Sequence, residues 1–309
     1  MTGTTAVAGP PRPAPVAPRG ARQALGLILV GSTGIQLSSA FAAGLFDSLG
    51  PLSVSSLRMA MAALILCALF RPRLRGRTRG QWTSIAVYGV AMAAMNLCLY
   101  SAVDRIPLGV AVTLEFLGPC AVAFLASRRC REGLCALAAF AGVLLISGPG
   151  GYFSAAGYAF GLGAAAFFAL YTVFAERVGK DGTGLSGLAL SVAVAAVVSA
   201  PFGIGAVGRV SGHQWLVLVA AAVVGVAIPY AVDTIAARVS SARVVGTLFS
   251  IDPVMGSLAG LLVLGEHIGW TAVVGIVVVA VAGAAVVWPA EASNEAGGPL
   301  ADAPGTVRP

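Results

Sequence analysis

The sequence predicts an all-α integral membrane protein of ten transmembrane helices, arranged as two inverted five-helix repeats. Three observations lead there. Of 309 residues, 58% are hydrophobic and only 10% charged. Apolar runs of about 20 residues recur along the chain. The sequence also matches itself at an offset of 134 positions.

A soluble domain is roughly 45–50% apolar and about 25% charged. A charge deficit this deep leaves too little polar surface for a globule in water, so lipid is the natural solvent. Forty glycines fit the same reading, because membrane helices use small residues for close contact. The net charge of +7 does not point to nucleic acid, because the basic residues sit in short clusters between the apolar runs. Arginine supplies all but one of the 19 basic residues, the exception being Lys180, which suits a GC-rich bacterial genome. The cysteines Cys67, Cys98, Cys120, Cys130 and Cys135 form no metal-binding spacing and read as small hydrophobes.

The apolar runs fall near 23–43, 51–70, 82–103, 108–127, 133–148, 157–176, 185–207, 214–236, 242–264 and 269–288. Nearly all are long enough for ~30 Å of hydrocarbon at about 1.5 Å per residue, and the fifth is short. Residues 1–22, rich in Pro, Ala and Gly, and residues 291–309 read as disordered cytoplasmic tails. The run after the first tail is too long for a cleavable signal and should serve as an uncleaved anchor.

Ten spans place both tails on one side of the membrane, and charge decides which. With the N-terminus inside, 16 basic residues are cytoplasmic, among them Arg71, Arg73, Arg75, Arg77, Arg79, Arg177 and Lys180. Only Arg105 and Arg209 fall in outer loops, and Arg58 lies within a span. The positive-inside rule therefore predicts a multi-pass protein of the bacterial cytoplasmic (inner) membrane with both termini cytoplasmic.

The self-match aligns Val110, Thr113, Leu114, Pro119 and Glu132 with Val244, Thr247, Leu248, Pro253 and Glu266. It divides the chain into halves 23–148 and 149–290. An offset of five spans is odd, so the halves must face opposite ways. Inverted repeats are a hallmark of secondary transporters, whose substrate site lies near the midplane at the repeat interface.

The segment Pro107-Leu-Gly-Val-Ala-Val-Thr-Leu-Glu115-Phe-Leu-Gly-Pro119, followed by Ala-Ser-Arg128-Arg129, resembles the threonine and homoserine exporters. These belong to the EamA group of the drug/metabolite transporter superfamily. Leu57-Arg58, Met95-Asn96, Pro229-Tyr230 with Asp233, Gly246-Thr247-Leu248 and Asp252-Pro253 extend the likeness over roughly residues 23–290. The resemblance implies ten helices in two inverted halves and efflux of small hydrophilic amino acids. It departs from the exporter pattern at Asp233 and Asp252, where that pattern usually has Glu. A related exporter of other small metabolites or drugs is the alternative.

Arg58, Glu115, Asp233 and Asp252 are ionisable groups inside the apolar runs. A charge at helix centre costs roughly 2.5–3.5 kcal/mol on insertion scales, so such groups face a cavity or a partner. Depth predicts an Arg58–Glu115 pair and leaves Asp233 able to reach Arg238. Asp252, expected at mid-helix with no nearby cation, is the first candidate for a proton-coupling carboxylate, and Asp233 the second. Pro119, Pro253 and Pro229 break the helical ladder, freeing the carbonyls of Glu115, Phe249 and Gly225 beside the acids. Arg58, Glu115, Asn96, Tyr230, Gln36 and Tyr171 are the candidates for substrate contact, competing with a role as interhelical hydrogen bonds.

Gly184-Leu-Ser186-Gly187 resembles the nucleophile motif of intramembrane proteases, but His213 and His267 are expected at the opposite membrane face, out of reach of Ser186. There is no HExxH, P-loop or EF-hand. The expectation is a proton-coupled exporter that is not an enzyme and needs no cofactor. Its partners are a small-molecule substrate, protons and the bilayer, and the sequence leaves open whether it works as a monomer or a homodimer.

Overall fold

A computed structural model describes residues 18–125, 134, 138, 139, 141–143, 145, 146, 154–180, 184–239 and 251–287. All regular elements among them are helical. Helix α1 runs Pro18–Ala43 and is followed by one turn, α2, at Phe46–Leu49. Gly50, at φ 82°, turns the chain into α3, Pro51–Phe70. Pro51 opens that helix, where its missing N–H costs nothing. Helix α4, Arg79–Val103, starts on a capping box in which the Thr78 side chain accepts from the Gln81 N–H and Gln81 reciprocates. Helix α5 is Leu108–Leu125, with Pro119 inside it.

Helices α6, Ala155–Lys180, and α7, Gly184–Gly203, are followed by a 3-10 turn at Ile204–Arg209. Ser211 and Gln214 form another capping box for α8, Gly212–Ala222. A π-helical stretch, Val223–Ala227, joins it to α9, Ile228–Val239. Helices α10, Asp252–Val263, and α11, Trp270–Val287, complete the described chain.

Five segments are long and apolar enough to cross a membrane: Pro51–Phe70, Arg79–Val103, Ala155–Lys180, Gly184–Arg209 and Gly212–Ile235. Leu108–Val122, Asp252–Val263 and Trp270–Ala282 are shorter apolar helices. The expected span at 133–148 lies largely outside the described residues, as do 242–250 at the start of the ninth span. Leu125, Leu262 and Trp270 are among the large apolar side chains on the outer surface, each about four-fifths exposed. A surface of this kind belongs in lipid.

Helix α4 packs between α6 and α7, α3 lies on α7, and α5 lies between α6 and α10. Helix α1 packs on α10 and along the α8–α9 rod. Without a hydrophobic force between helices in lipid, close backbone approach provides the attraction. Gly89 meets the Ser191 carbonyl and Val194, and Gly118 meets the Ala165 carbonyl, each without room for a Cβ. Buried hydroxyls are satisfied locally or across helices. Thr172 donates to the Phe168 carbonyl at 2.8 Å, and Ser56 donates to the Ser199 carbonyl of α7 at 2.8 Å.

The bundle has two unlike ends. At one, the strongly basic 71–79 loop meets the start of α7, where Arg77 Nη2 donates to the Ser186 hydroxyl at 2.8 Å. At the other, Ser48 accepts from Gln214 at 3.0 Å, and Arg105 stacks on Phe160 at 5.2 Å.

Candidate functional site at the centre of the bundle

Asn96 organises the middle of the bundle. It is 3% exposed, and its Oδ1 accepts from Arg58 Nη2 of α3 at 2.6 Å. Its Nδ2 donates to the Tyr230 hydroxyl of α9 at 2.9 Å and to the Met92 carbonyl at 3.0 Å. Arg58 also lies over the Tyr100 ring, 4.5 Å from its centroid. Tyr100 stands one turn after Asn96 on α4, so one helix face carries both groups that hold the guanidinium.

The arrangement leaves buried polar atoms without hydrogen-bond partners: Arg58 Nε and Nη1, Glu115 Oε1 and Gln36 Oε1. Such atoms are costly unless a ligand or water completes them. Glu115 is 7% exposed and lies within electrostatic reach of both Arg58 and Asp252. Gln36 faces Gly256 and Val112 at the α1–α5–α10 junction. A guanidinium and a carboxyl group thus share one buried region, each with unused hydrogen-bonding capacity.

A second polar cluster adjoins it. A small cavity between α1, α9 and α10 is lined by Gly31, Ser32, Ile35, Pro229, Val232, Asp233 and Asp252. The Ser32 hydroxyl donates to the Asp252 carboxylate, and the Tyr171 hydroxyl donates to Asp233 Oδ2 at 2.8 Å. Tyr171 sits among Tyr88, Phe168 and Tyr230, with ring centroids 5.1 to 5.5 Å away.

The geometry amends several sequence expectations. Arg58 and Glu115 form no ion pair among the described residues, because Asn96 and Tyr100 hold the guanidinium instead. Asp252 and Pro253 stand in the first turn of α10, and the preceding residues 240–250, on which its depth in the span depends, lie outside the described residues. There proline interrupts nothing within α10, and the Phe249 carbonyl lies outside the described residues. The Arg238 side chain also lies outside them, while Asp233 accepts from Tyr171. Pro119 does sit inside α5, and Pro229 follows the π-helical stretch, where the regular ladder is already opened. Cys67, Cys98 and Cys120 are half-buried within helices and form no disulfide among the described residues, and Cys130 and Cys135 lie outside them.

Sequence reading missed Ser32 and Tyr100. Both stand four residues from a residue it had chosen, Gln36 and Asn96, so helical spacing would have found them. It also assigned no role to Glu266. Both carboxylate oxygens of Glu266 accept from the Leu108 N–H, at 3.1 and 3.0 Å, so the α10–α11 loop caps α5 of the other half. Burial pushes the Glu266 carboxyl above its ordinary value, and the Leu108 N–H partly opposes this.

A multi-pass helical bundle with buried charges around a central polar region defines a membrane transporter as a class. The particular family follows from comparison: models of the EamA-like transporter family match residues 23–149 and 155–288. The chain belongs to that family of transporters and is not an enzyme. It is 33% identical to the threonine/homoserine exporter RhtA of Escherichia coli K12 over 246 residues, covering 78% of this chain and 83% of that protein. The RhtA of Salmonella typhimurium SL1344 is 32% identical over the same length and coverage. A solved crystal structure shares the fold at TM-score 0.62 and 21% identity, covering 87% of this chain and 98% of its own.

Proposed function

We propose that the protein exports small hydrophilic amino acids such as threonine and homoserine across the bacterial cytoplasmic membrane. Export runs in exchange for protons, by alternating access of two inverted five-helix halves, 23–148 and 149–290. The observation that carries this reading is the buried pair of incomplete sites: Arg58 with spare donors and Glu115 and Gln36 with spare acceptors. An α-amino acid brings a carboxylate and an ammonium, the two charges that match those vacancies. The relatives named for threonine and homoserine export support the substrate class.

Helix contacts support the two-fold arrangement. If α1, α3, α4 and α5 count as spans one to four, their counterparts are α6, α7, the α8–α9 rod and α10. Under that exchange α4 on α6 becomes α8–α9 on α1, and α5 on α6 becomes α10 on α1. Contacts α3–α7 and α5–α10 map onto themselves. The basic loop 71–79, opposite Arg105 in the bundle, supports cytoplasmic termini. Asp252 and Asp233 around one cavity are the proton-coupling candidates, because a carboxylate can hold either a proton or a substrate ammonium.

The test is overexpression in cells exposed to inhibitory threonine or homoserine, which should raise resistance and lower cellular content of the amino acid. Resistance confined to lipophilic cations would replace this reading with multidrug export.

A further inference from the structure

The geometry points to Tyr100 as a positioning residue: its ring and Asn96 fix Arg58 so that the free rim of the guanidinium receives the substrate carboxylate. This assignment rests on the export reading above and adds the group that Arg58 recognises and the residue that aims it.

A guanidinium is a plane with five N–H donors around its rim and a face that stacks on aromatic rings. Here Tyr100 covers one face at 4.5 Å, and Asn96 takes one donor on Nη2 at 2.6 Å. Nε and Nη1 have no acceptor. Arg58 is 3% exposed, so water does not solve the problem from outside. An incoming anion can reach only what the ring and Asn96 leave open.

Two neighbours make the arrangement specific. Phe46 meets Tyr100 edge-on with ring centroids 5.4 Å apart, which fixes the ring that fixes the arginine. Gly225, in the π-helical stretch, lets Ser38 and Arg58 approach its backbone together, since a Cβ there would collide with the Ser38 hydroxyl and lie 3.4 Å from Nη1. Tyr100 is fully buried, and its hydroxyl is itself without a hydrogen-bond partner among the described residues. The ring face needs no hydroxyl for this task, so phenylalanine should serve and an aliphatic residue should not.

The experiment measures labelled threonine uptake into inside-out vesicles with protein amounts matched. Tyr100→Leu should raise KM about 3- to 30-fold, the range that loss of a buried cation–π contact implies, with kcat within about twofold. Tyr100→Phe should stay within about twofold of wild type in both. In wild-type vesicles, 1-aminopropan-2-ol, which is threonine without its carboxylate, should not compete at concentrations where unlabelled threonine does. An unchanged KM in Tyr100→Leu, or equal damage from Phe and Leu, overturns the role of the ring. Effective competition by the amine overturns carboxylate recognition, and this arm needs no variant to fold. Absence of threonine uptake by the wild type overturns the export reading itself.

Discussion

Asn96 donates to the Tyr230 hydroxyl at 2.9 Å, and the two positions are 134 residues apart. That separation is the offset at which the sequence matches itself. Under the proposed inverted arrangement, a residue touching its own counterpart would sit on the axis that exchanges the halves, where inverted-repeat transporters place their substrate. The contact therefore links the repeat reading to the site reading through one hydrogen bond.

Removing that bond should cost little by itself. Tyr230→Phe leaves Asn96 Nδ2 its bond to the Met92 carbonyl, so stability should fall by about 0.6 kcal/mol, the mean for membrane hydrogen bonds. Asn96→Leu also strips Arg58 Nη2 of its acceptor, and should lower the melting temperature further and abolish uptake. Melting curves in detergent beside vesicle uptake check both. Equal effects of the two variants would remove Asn96 from the centre of the network.

Asp252 tests coupling. Asp252→Asn keeps the side-chain volume and a partner for the Ser32 hydroxyl, so the protein should fold. Without a carboxylate to exchange proton for ammonium, uptake should lose its dependence on the proton gradient. Unchanged pH dependence in this variant would shift the role to Asp233, which shares the cavity.

Glu266 lies in a loop outside the spans, and its linkage has a definite sign. A carboxyl raised by burial gives stability that is full below its unfolded value and lost as pH rises through the folded one. Wild-type melting temperature should therefore decline as pH rises upward from the ordinary glutamate range. Glu266→Gln cannot ionise but still accepts from Leu108, and should flatten that decline. Glu266→Ala leaves the Leu108 N–H unpaired and should lie about 1 kcal/mol below the Gln variant at every pH. Identical curves for the Gln and Ala variants would show that the cap contributes nothing.

Helix contact through glycine is testable at Gly118, beside Pro119 and one turn from Glu115. A Cβ there would collide with the Ala165 carbonyl of α6, a backbone atom that cannot swing away. Gly118→Ala should destabilise the protein by about 1–3 kcal/mol, seen as a lower melting temperature in detergent. At Gly31, where nothing lies within 4 Å, the same substitution should be neutral.

Topology follows from charge. A reporter fused at residue 309 should be active in the cytoplasm, since the 16 basic residues assigned inside outweigh Arg105 and Arg209. An exported reporter would overturn the ten-span count and the inverted repeat together.

What the sequence determined by itself are properties carried by composition and spacing. Apolar length placed the helix at 51–70 to the residue and α4, α5, α6 and α11 within a few positions, while most of the fifth span and the start of the ninth lie outside the described residues. The basic clusters and the 134-residue offset are likewise readable without coordinates. The buried ionisable residues were legible too, because lipid makes every charge in an apolar run conspicuous. Their partners were not. These helices are apolar on nearly all sides, so hydropathy leaves their rotation about the axis undetermined. Depth alone favoured Glu115 for Arg58, yet the rotation of α4 delivers Asn96 and Tyr100 instead. Asp252 meets Ser32 across 220 residues, and the Glu266 loop reaches Leu108 across 158. Only tertiary packing decides such contacts, because each depends on how far two helices turn and slide before their small residues close together.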